Sequence, residues 1–465
     1  MDITRESFGR DFHWGVATAA YQVEGGFAAD GKGLSIWDEF TDRKRKISGN
    51  EHGRIACDHY HRYYEDILLM KQMNIPDYRF SISWSRIFPD GCGQVNRKGV
   101  EFYHRVIDCC LEAGIEPWIT LYHWDLPLKL QEKGGWVSRD IIGWFSEYTI
   151  FCVREFGDRV RRWMVLNEPM VFTGAGYFLG MHAPGKKGLN NFLASAHHAA
   201  LCQSAGGRII KSWGSSLQAG TTFSCSLVEP YRDTAADRQA QVRVDALLNR
   251  MFIEPLLGYG YPSADASVLK RMERFMRDGD EQQLSFAMDF IGIQNYTREL
   301  VRYDFFTPFL QAKIVHASRR NVPLTEMGWE VYPPSIYRLL KKYARYENIP
   351  PMVITESGAA FRDEAVNGCV EDKNRLAYLK DHLQQVLSAK SEGVIVDGFF
   401  VWSFLDNFEW AEGYRPRFGL VHVDFNTLQR TIKSSGNWYS TFLYPSTCKD
   451  HAQTTAGYDN HDQDV

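Results

Sequence analysis

The chain has 465 residues, 44% of them hydrophobic and 24% charged, with a formal net charge of −4. That is ample apolar material for a large core, and it lacks the basic excess that suits a nucleic-acid partner. No apolar run approaches the roughly 18 residues that cross a bilayer, which speaks against a membrane-spanning helix.

In chain order, short apolar, strand-like runs recur at 12–17, 78–82, 117–121, 163–166, 218–224, 290–294, 352–355 and 398–402. Amphipathic, helix-like stretches lie between them at 63–73, 99–113, 141–156, 334–346 and 374–392. Alternation of strand and helix predicts a parallel sheet with helices outside it, and eight repeats predict closure into a (β/α)8 barrel, a TIM barrel with long βα loops. The barrel is expected over 1–445, with a polar tail over 446–465. The run Asp42-Arg43-Lys44-Arg45-Lys46 lies among polar residues and reads as a solvated loop. Nine cysteines, an odd number with no Cys-x-x-Cys pair, predict reduced thiols. Together with a first segment, Met1-Asp2-Ile3-Thr4-Arg5, that lacks a signal-peptide pattern, this predicts a cytoplasmic location. The pattern leaves self-association open.

Barrel enzymes place their chemistry at the C-terminal ends of the strands. The first strand ends towards Tyr21-Gln22-Val23-Glu24, and the second carries Arg79. The third ends at Tyr122-His123-Trp124-Asp125, the fourth at Asn167-Glu168-Pro169 and the sixth at Gln294-Asn295-Tyr296. The seventh ends at Thr355-Glu356-Ser357-Gly358, and the eighth at Trp402-Ser403, followed by Asp406-Asn407-Phe408-Glu409-Trp410. Glu168 and Glu356 are lone carboxylates directly after apolar runs. Hydrolysis of a glycosidic bond needs two such groups flanking it, one protonated and one ionised. Gln22, His123, Asn167 and Glu409 offer fixed donors and acceptors for ring hydroxyls, and Trp402 and Trp410 offer stacking walls. No metal site is expected: His59 and His61, two apart, and the adjacent His197 and His198 do not share a helical face. Gly174 and Gly176 lack the full dinucleotide fingerprint and read as loop glycines, so no cofactor is expected.

These motifs together resemble family 1 of the glycoside hydrolases, the β-glucosidase family. The resemblance runs from Phe12-His13-Trp14-Gly15 through Tyr78-Arg79-Phe80-Ser81, Tyr122-His123-Trp124-Asp125, Leu166-Asn167-Glu168-Pro169 and His182-Ala183-Pro184-Gly185. It continues through Met327-Gly328-Trp329-Glu330, Ile354-Thr355-Glu356-Ser357-Gly358 and Arg417-Phe418-Gly419. It implies a retaining β-glycosidase, most naturally a β-glucosidase acting on small-molecule β-glycosides, with Glu168 as acid/base and Glu356 as nucleophile. It also implies that Arg79 and Tyr296 support the nucleophile. Gln22, His123, Trp124, Asn167, Gln294, Trp329, Trp402, Glu409, Trp410 and Phe418 would hold the substrate, Trp329 on the leaving-group side.

Two alternatives belong to the same fold, a 6-phospho-β-glycosidase and a weakly active sugar-binding relative. Members acting on 6-phosphorylated sugars usually lack a carboxylate at the position of Glu409, whose charge would repel a phosphate dianion. Retention of both glutamates, Arg79 and Tyr296 disfavours the binder. The sequence departs from the usual pattern at Ser357, at Gln294 and Asn295, at Val165 and at Met170.

Overall fold

Eight strands pair side by side until the last meets the first. They are His13–Ala17 (β1), Asp77–Ser81 (β2), Glu116–Tyr122 (β3), Arg162–Asn167 (β4), Gln218–Ser224 (β5), Ile291–Gln294 (β6), Met352–Ser357 (β7) and Val396–Trp402 (β8). All pairings are parallel, in the closed order β1-β8-β7-β6-β5-β4-β3-β2. The structure, a computed structural model, describes residues 3–444; the tail expected over 446–465 lies outside the described residues. Each expected strand is present, and β4 and β7 run slightly further than the sequence pattern implied, so that Asn167 and Glu356 are their final or near-final residues.

The barrel interior is layered. Trp118, Met164, Phe290, Val353 and Phe400 form an apolar floor. Above it the filling turns polar, with Arg79, Thr120, Asn167, Thr222 and Gln294 all buried. Strict alternation along β4 would not put both Met164 and Asn167 inside, because they are three residues apart. The register of β4 against β5 shifts between these two residues. In β7, Val353 and Glu356 are also three apart, and the register against β6 shifts between Ile354 and Glu356. A local break in pairing re-aims a side chain, which is how such irregularities are used beside active sites.

Helices His59–Gln72, Arg97–Glu112, Ile141–Phe156, Pro334–Tyr343 and Lys373–Ser391 stand where amphipathic patterns placed them. The longest helix, Leu189–Trp213, has no counterpart among those patterns. Every residue from Phe192 to Ser204 in it is buried, so no polar face exists to give a helical period. His197 and His198 lie inside it and serve packing: His197 pairs with Asp280 at 2.8 Å and His198 with the Trp136 carbonyl at 2.9 Å. Gly174 and Gly176 are not in a loop but in a π-helical turn, Gly174–Leu179. A small sheet of Leu227–Pro230, Arg298–Tyr303 and Ala312–Ile314 was also not anticipated; its middle strand leaves the barrel just after Tyr296.

Candidate active site

A cavity of about 300 Å³ opens at the C-terminal end of the strands, lined by Glu168, Glu356, His123, Trp124, Tyr296, Trp329, Trp402, Glu409, Trp410 and Phe418 among others. The remaining candidates, Arg79, Asn167, Gln294 and Gln22, are fully buried directly behind this wall and bonded to it. All the residues singled out from the sequence therefore meet in one place.

Arg79 organises the floor of the cavity. Its guanidinium pairs with Glu356 through Nη1, reaches Asn167 Oδ1 through Nη2 at 2.5 Å, and donates to Thr120 Oγ1 through Nε at 3.1 Å. The other oxygen of Glu356 accepts from the Tyr296 hydroxyl at 2.6 Å. Asn167 is further fixed by Gln294 Nε2 at 2.8 Å, by Thr222 Oγ1 at 3.1 Å and by His123 Nε2 at 2.9 Å. Gln22 Nε2 bonds Asn407 Oδ1 and the Phe408 carbonyl, each at 2.9 Å, and Glu409 Oε2 at 3.3 Å. That set holds the loop after β8 against the end of β1. The Trp410 ring lies 4.6 Å from that of Trp124, and Tyr296 lies 5.4 Å from Trp329, so the aromatic walls are packed on each other.

Glu168, Trp124 and Trp410 all adopt left-handed backbone, at φ 46°, 78° and 49°. Non-glycine residues held there carry roughly 1–3 kcal/mol of strain, found mostly at functional positions. Glu168 sits between β4 and the short helix Pro169–Thr173. Gly358 has a steric reason to be glycine, since a Cβ there would sit 1.8 Å from the Trp402 carbonyl oxygen.

The two central carboxyl groups experience different environments. Burial pushes Glu168 well above the usual carboxylate range, the charge of Glu356 pushes it further, and Ser224 and Arg79 oppose only in part. Burial raises Glu356 as well, but Arg79, Tyr296 and Gln294 all favour its ionised form. The result is one carboxyl that keeps its proton and one that gives it up more easily. Burial and the charge of Arg79 hold His123 neutral, well below the ordinary imidazole value. Burial, then the charge of Glu356, push Glu409 up to about 8. Glu409 therefore repels a phosphate less than a full charge would; the stronger bar is that, among the described residues, no Lys or Arg lines the cavity to bind one.

A profile of glycosyl hydrolase family 1 matches residues 4–446. The chain is 43% identical over 446 residues to β-glucosidase A of Acetivibrio thermocellus, covering 95% of this chain and 99% of that one. The chain belongs to glycosyl hydrolase family 1. It is 41% identical to β-glucosidase A of Thermotoga maritima, over 94% of this chain and 98% of that one. A solved family 1 β-glucosidase from Thermotoga maritima superposes with a TM-score of 0.89 at 41% identity, covering 93% of this chain and 97% of the other.

This family 1 enzyme carries its departures from the usual pattern away from the cavity wall. Val165 packs towards Gly206 of the long helix, and Met170 lies against Gly174. Ser357 is fully buried behind the wall. Asn295 is likewise buried, its amide bonded to the carbonyls of Cys225 and Thr297 and its oxygen to Ser335. Gln294 touches the machinery with its side chain, through Asn167 and Thr222. The sequence reading passed over the end of β5, where Thr222 steadies Asn167 and Ser224 bonds Glu168. The strand-end rule would have found both. Glu299, Met181, His182 and Glu412, which also line the cavity, lie on loops or outlying elements that no barrel rule locates.

Proposed function

We propose that this family 1 enzyme is a β-glucosidase that releases β-linked glucose from the non-reducing end of small glycosides in two steps. The reading is carried by the pairing at Glu356: one carboxylate held by a cation and a phenol, in the same cavity as a second carboxyl kept protonated. Glu356 attacks the anomeric carbon while Glu168 gives its proton to the departing oxygen, and a glycosyl ester forms. The ester carries no charge, so the repulsion that raised Glu168 disappears and its pKa falls. Glu168 can then take a proton from water, and the hydroxide displaces Glu356 with net retention. Asn167, beside Arg79, is placed to hold the hydroxyl next to the reacting carbon, a contact that strengthens in the transition state. Trp402 and Trp410 offer faces to the ring.

Support for the ligand class comes from similar proteins: the Thermotoga maritima β-glucosidase has been solved in complex with glucoimidazole and with deoxynojirimycin. A reducing compartment such as the cytoplasm is supported by the cysteines, every one of which is free among the described residues, six of them buried. Among the described residues no helix is long and apolar enough to cross a membrane.

Proton NMR of an aryl β-glucoside digest tests the mechanism. The β-anomer of glucose should appear first and mutarotate later; first appearance of the α-anomer would overturn the assignment of Glu356 as nucleophile.

A further inference from the structure

The two-step chemistry leaves one side of the cavity without a role. Thr297, Glu299, Met327 and Trp329 line the cavity as well. Glu299 lies on the strand Arg298–Tyr303, which departs from the barrel just after Tyr296. The guanidinium groups around it are committed elsewhere. Arg298 donates to both oxygens of Glu330 at 2.9 Å and to Glu229 at 3.0 Å, and Arg320 donates to Glu330 at 2.7 Å. Among the described residues none gives the Glu299 carboxylate a hydrogen bond, and no Lys or Arg lines the cavity to neutralise it. Burial pushes this carboxyl up to about 7, with Arg320 pulling it down and Glu330 pushing it up.

When ionised, a carboxyl group is an acceptor with several lone pairs and no donor. Trp329 lines the same cavity. An aromatic face beside a free acceptor suits a sugar, whose C–H side is apolar and whose rim carries hydroxyl donors. An uncharged aryl group can use the ring face but has nothing to give the acceptor. A leaving group with its own negative charge meets the ionised Glu299, with no Lys or Arg among the described residues that line the cavity to bind it.

We propose that Glu299 sets the choice of leaving group, accepting hydrogen bonds from the hydroxyls of a second sugar and disfavouring leaving groups that carry negative charge. The assignment rests on the β-glucosidase reading. It makes Glu299 a specificity residue, outside the bond-breaking chemistry.

The test compares three β-glucosides: a disaccharide of two β-linked glucose units, an uncharged aryl glucoside, and the same aryl glucoside bearing a carboxylate on the ring. Glu299 holds no structural bond, so both Glu299→Gln and Glu299→Ala should fold. Glu299→Ala removes the acceptor, so the ratio of kcat/KM for the disaccharide to that for the uncharged aryl glucoside should fall by about tenfold, and by less in Glu299→Gln, which keeps an amide oxygen. The ratio of carboxylated to uncharged aryl glucoside should rise by about fivefold or more. Either ratio staying within about twofold of wild type in both variants would overturn the assignment. A wild-type enzyme that cleaves none of the three would overturn the β-glucosidase reading itself, and this assignment with it.

Discussion

Glu356 is gripped by two donors of different kinds, the Arg79 guanidinium on one oxygen and the Tyr296 hydroxyl on the other. On the proposed mechanism Glu356 must be ionised to attack and Glu168 protonated to donate, so kcat/KM should rise as pH passes the lower pKa and fall as it passes the higher. Tyr296→Phe removes a bond that favours the ionised form of Glu356. Its pKa should climb, and the acidic limb of the kcat/KM profile should move up by about 1–2 units, the equivalent of a hydrogen bond to a charge. An unmoved acidic limb would detach Tyr296 from the nucleophile. Glu168→Ala should cost about 10²–10⁴-fold with poor leaving groups and much less in the first step with good ones. Added azide should speed turnover of the good ones; equal losses across a leaving-group series would count against the acid role. At this scale the sequence spoke through lone charges. A carboxylate directly after an apolar strand is conspicuous, and so is an arginine inside one. Thr222 and Ser224 were silent because hydroxyl residues are ordinary in strands. Glu299 was silent because its place depends on where a strand outside the barrel happens to pass.

Among the elements, the loops after β7 and β8 are tied by buried ion pairs to Lys433, which precedes the last described helix. Lys433, fully buried just before the helix Ser434–Leu443, bonds Asp406 at 2.6 Å and also Asp363. Arg375, on the helix Lys373–Ser391, pairs with Asp363 at 2.9 Å and with Asp372 at 2.5 Å. Asp406 accepts the backbone N–H of Gly419 at 2.9 Å. This ties down the segment that carries Glu409, Trp410 and Phe418. Removing one partner of a buried pair leaves an uncompensated charge, so Lys433→Met should destabilise the fold by about 3–5 kcal/mol in denaturant unfolding near neutral pH. Burial pushes Asp406 up, but Lys433, Arg417 and Arg375 together hold it below the usual range. Its contribution is therefore present above the ordinary carboxylate pKa and lost as the pH falls through the depressed one. The penalty of Lys433→Met should accordingly shrink as the pH falls below the ordinary carboxylate range; a penalty independent of pH would place the effect in packing alone. Strands and amphipathic helices were legible because their periods are written in apolar residues. The helix Leu189–Trp213 was not, since burial on all sides erases the period, and the register shifts in β4 and β7 leave no compositional trace at all.

For the molecule as a whole, the barrel stacks an apolar floor beneath a polar layer and opens into a cavity lined by Glu168, Glu299, Glu356, Glu409 and Glu412, with no Lys or Arg among the described residues that line it. A 6-phosphorylated aryl β-glucoside should be cleaved less efficiently than its unphosphorylated counterpart by about 100-fold or more in kcat/KM, or about 3 kcal/mol. Equal efficiencies would show that the cavity finds a cation elsewhere. Eightfold alternation made the architecture readable before any coordinate, whereas the sign of the cavity depends on which loop residues face inward, and that is a three-dimensional fact. The Arg79 side chain joins the two halves of the proposed chemistry, because one planar group bonds both Glu356, the proposed nucleophile, and Asn167, the amide proposed to hold the sugar. Reactivity and recognition thus hang from a single fork: a change that tilts it to suit a different sugar also disturbs the nucleophile, so a shift in sugar preference is reached more freely through the outlying loops than through the middle of the barrel.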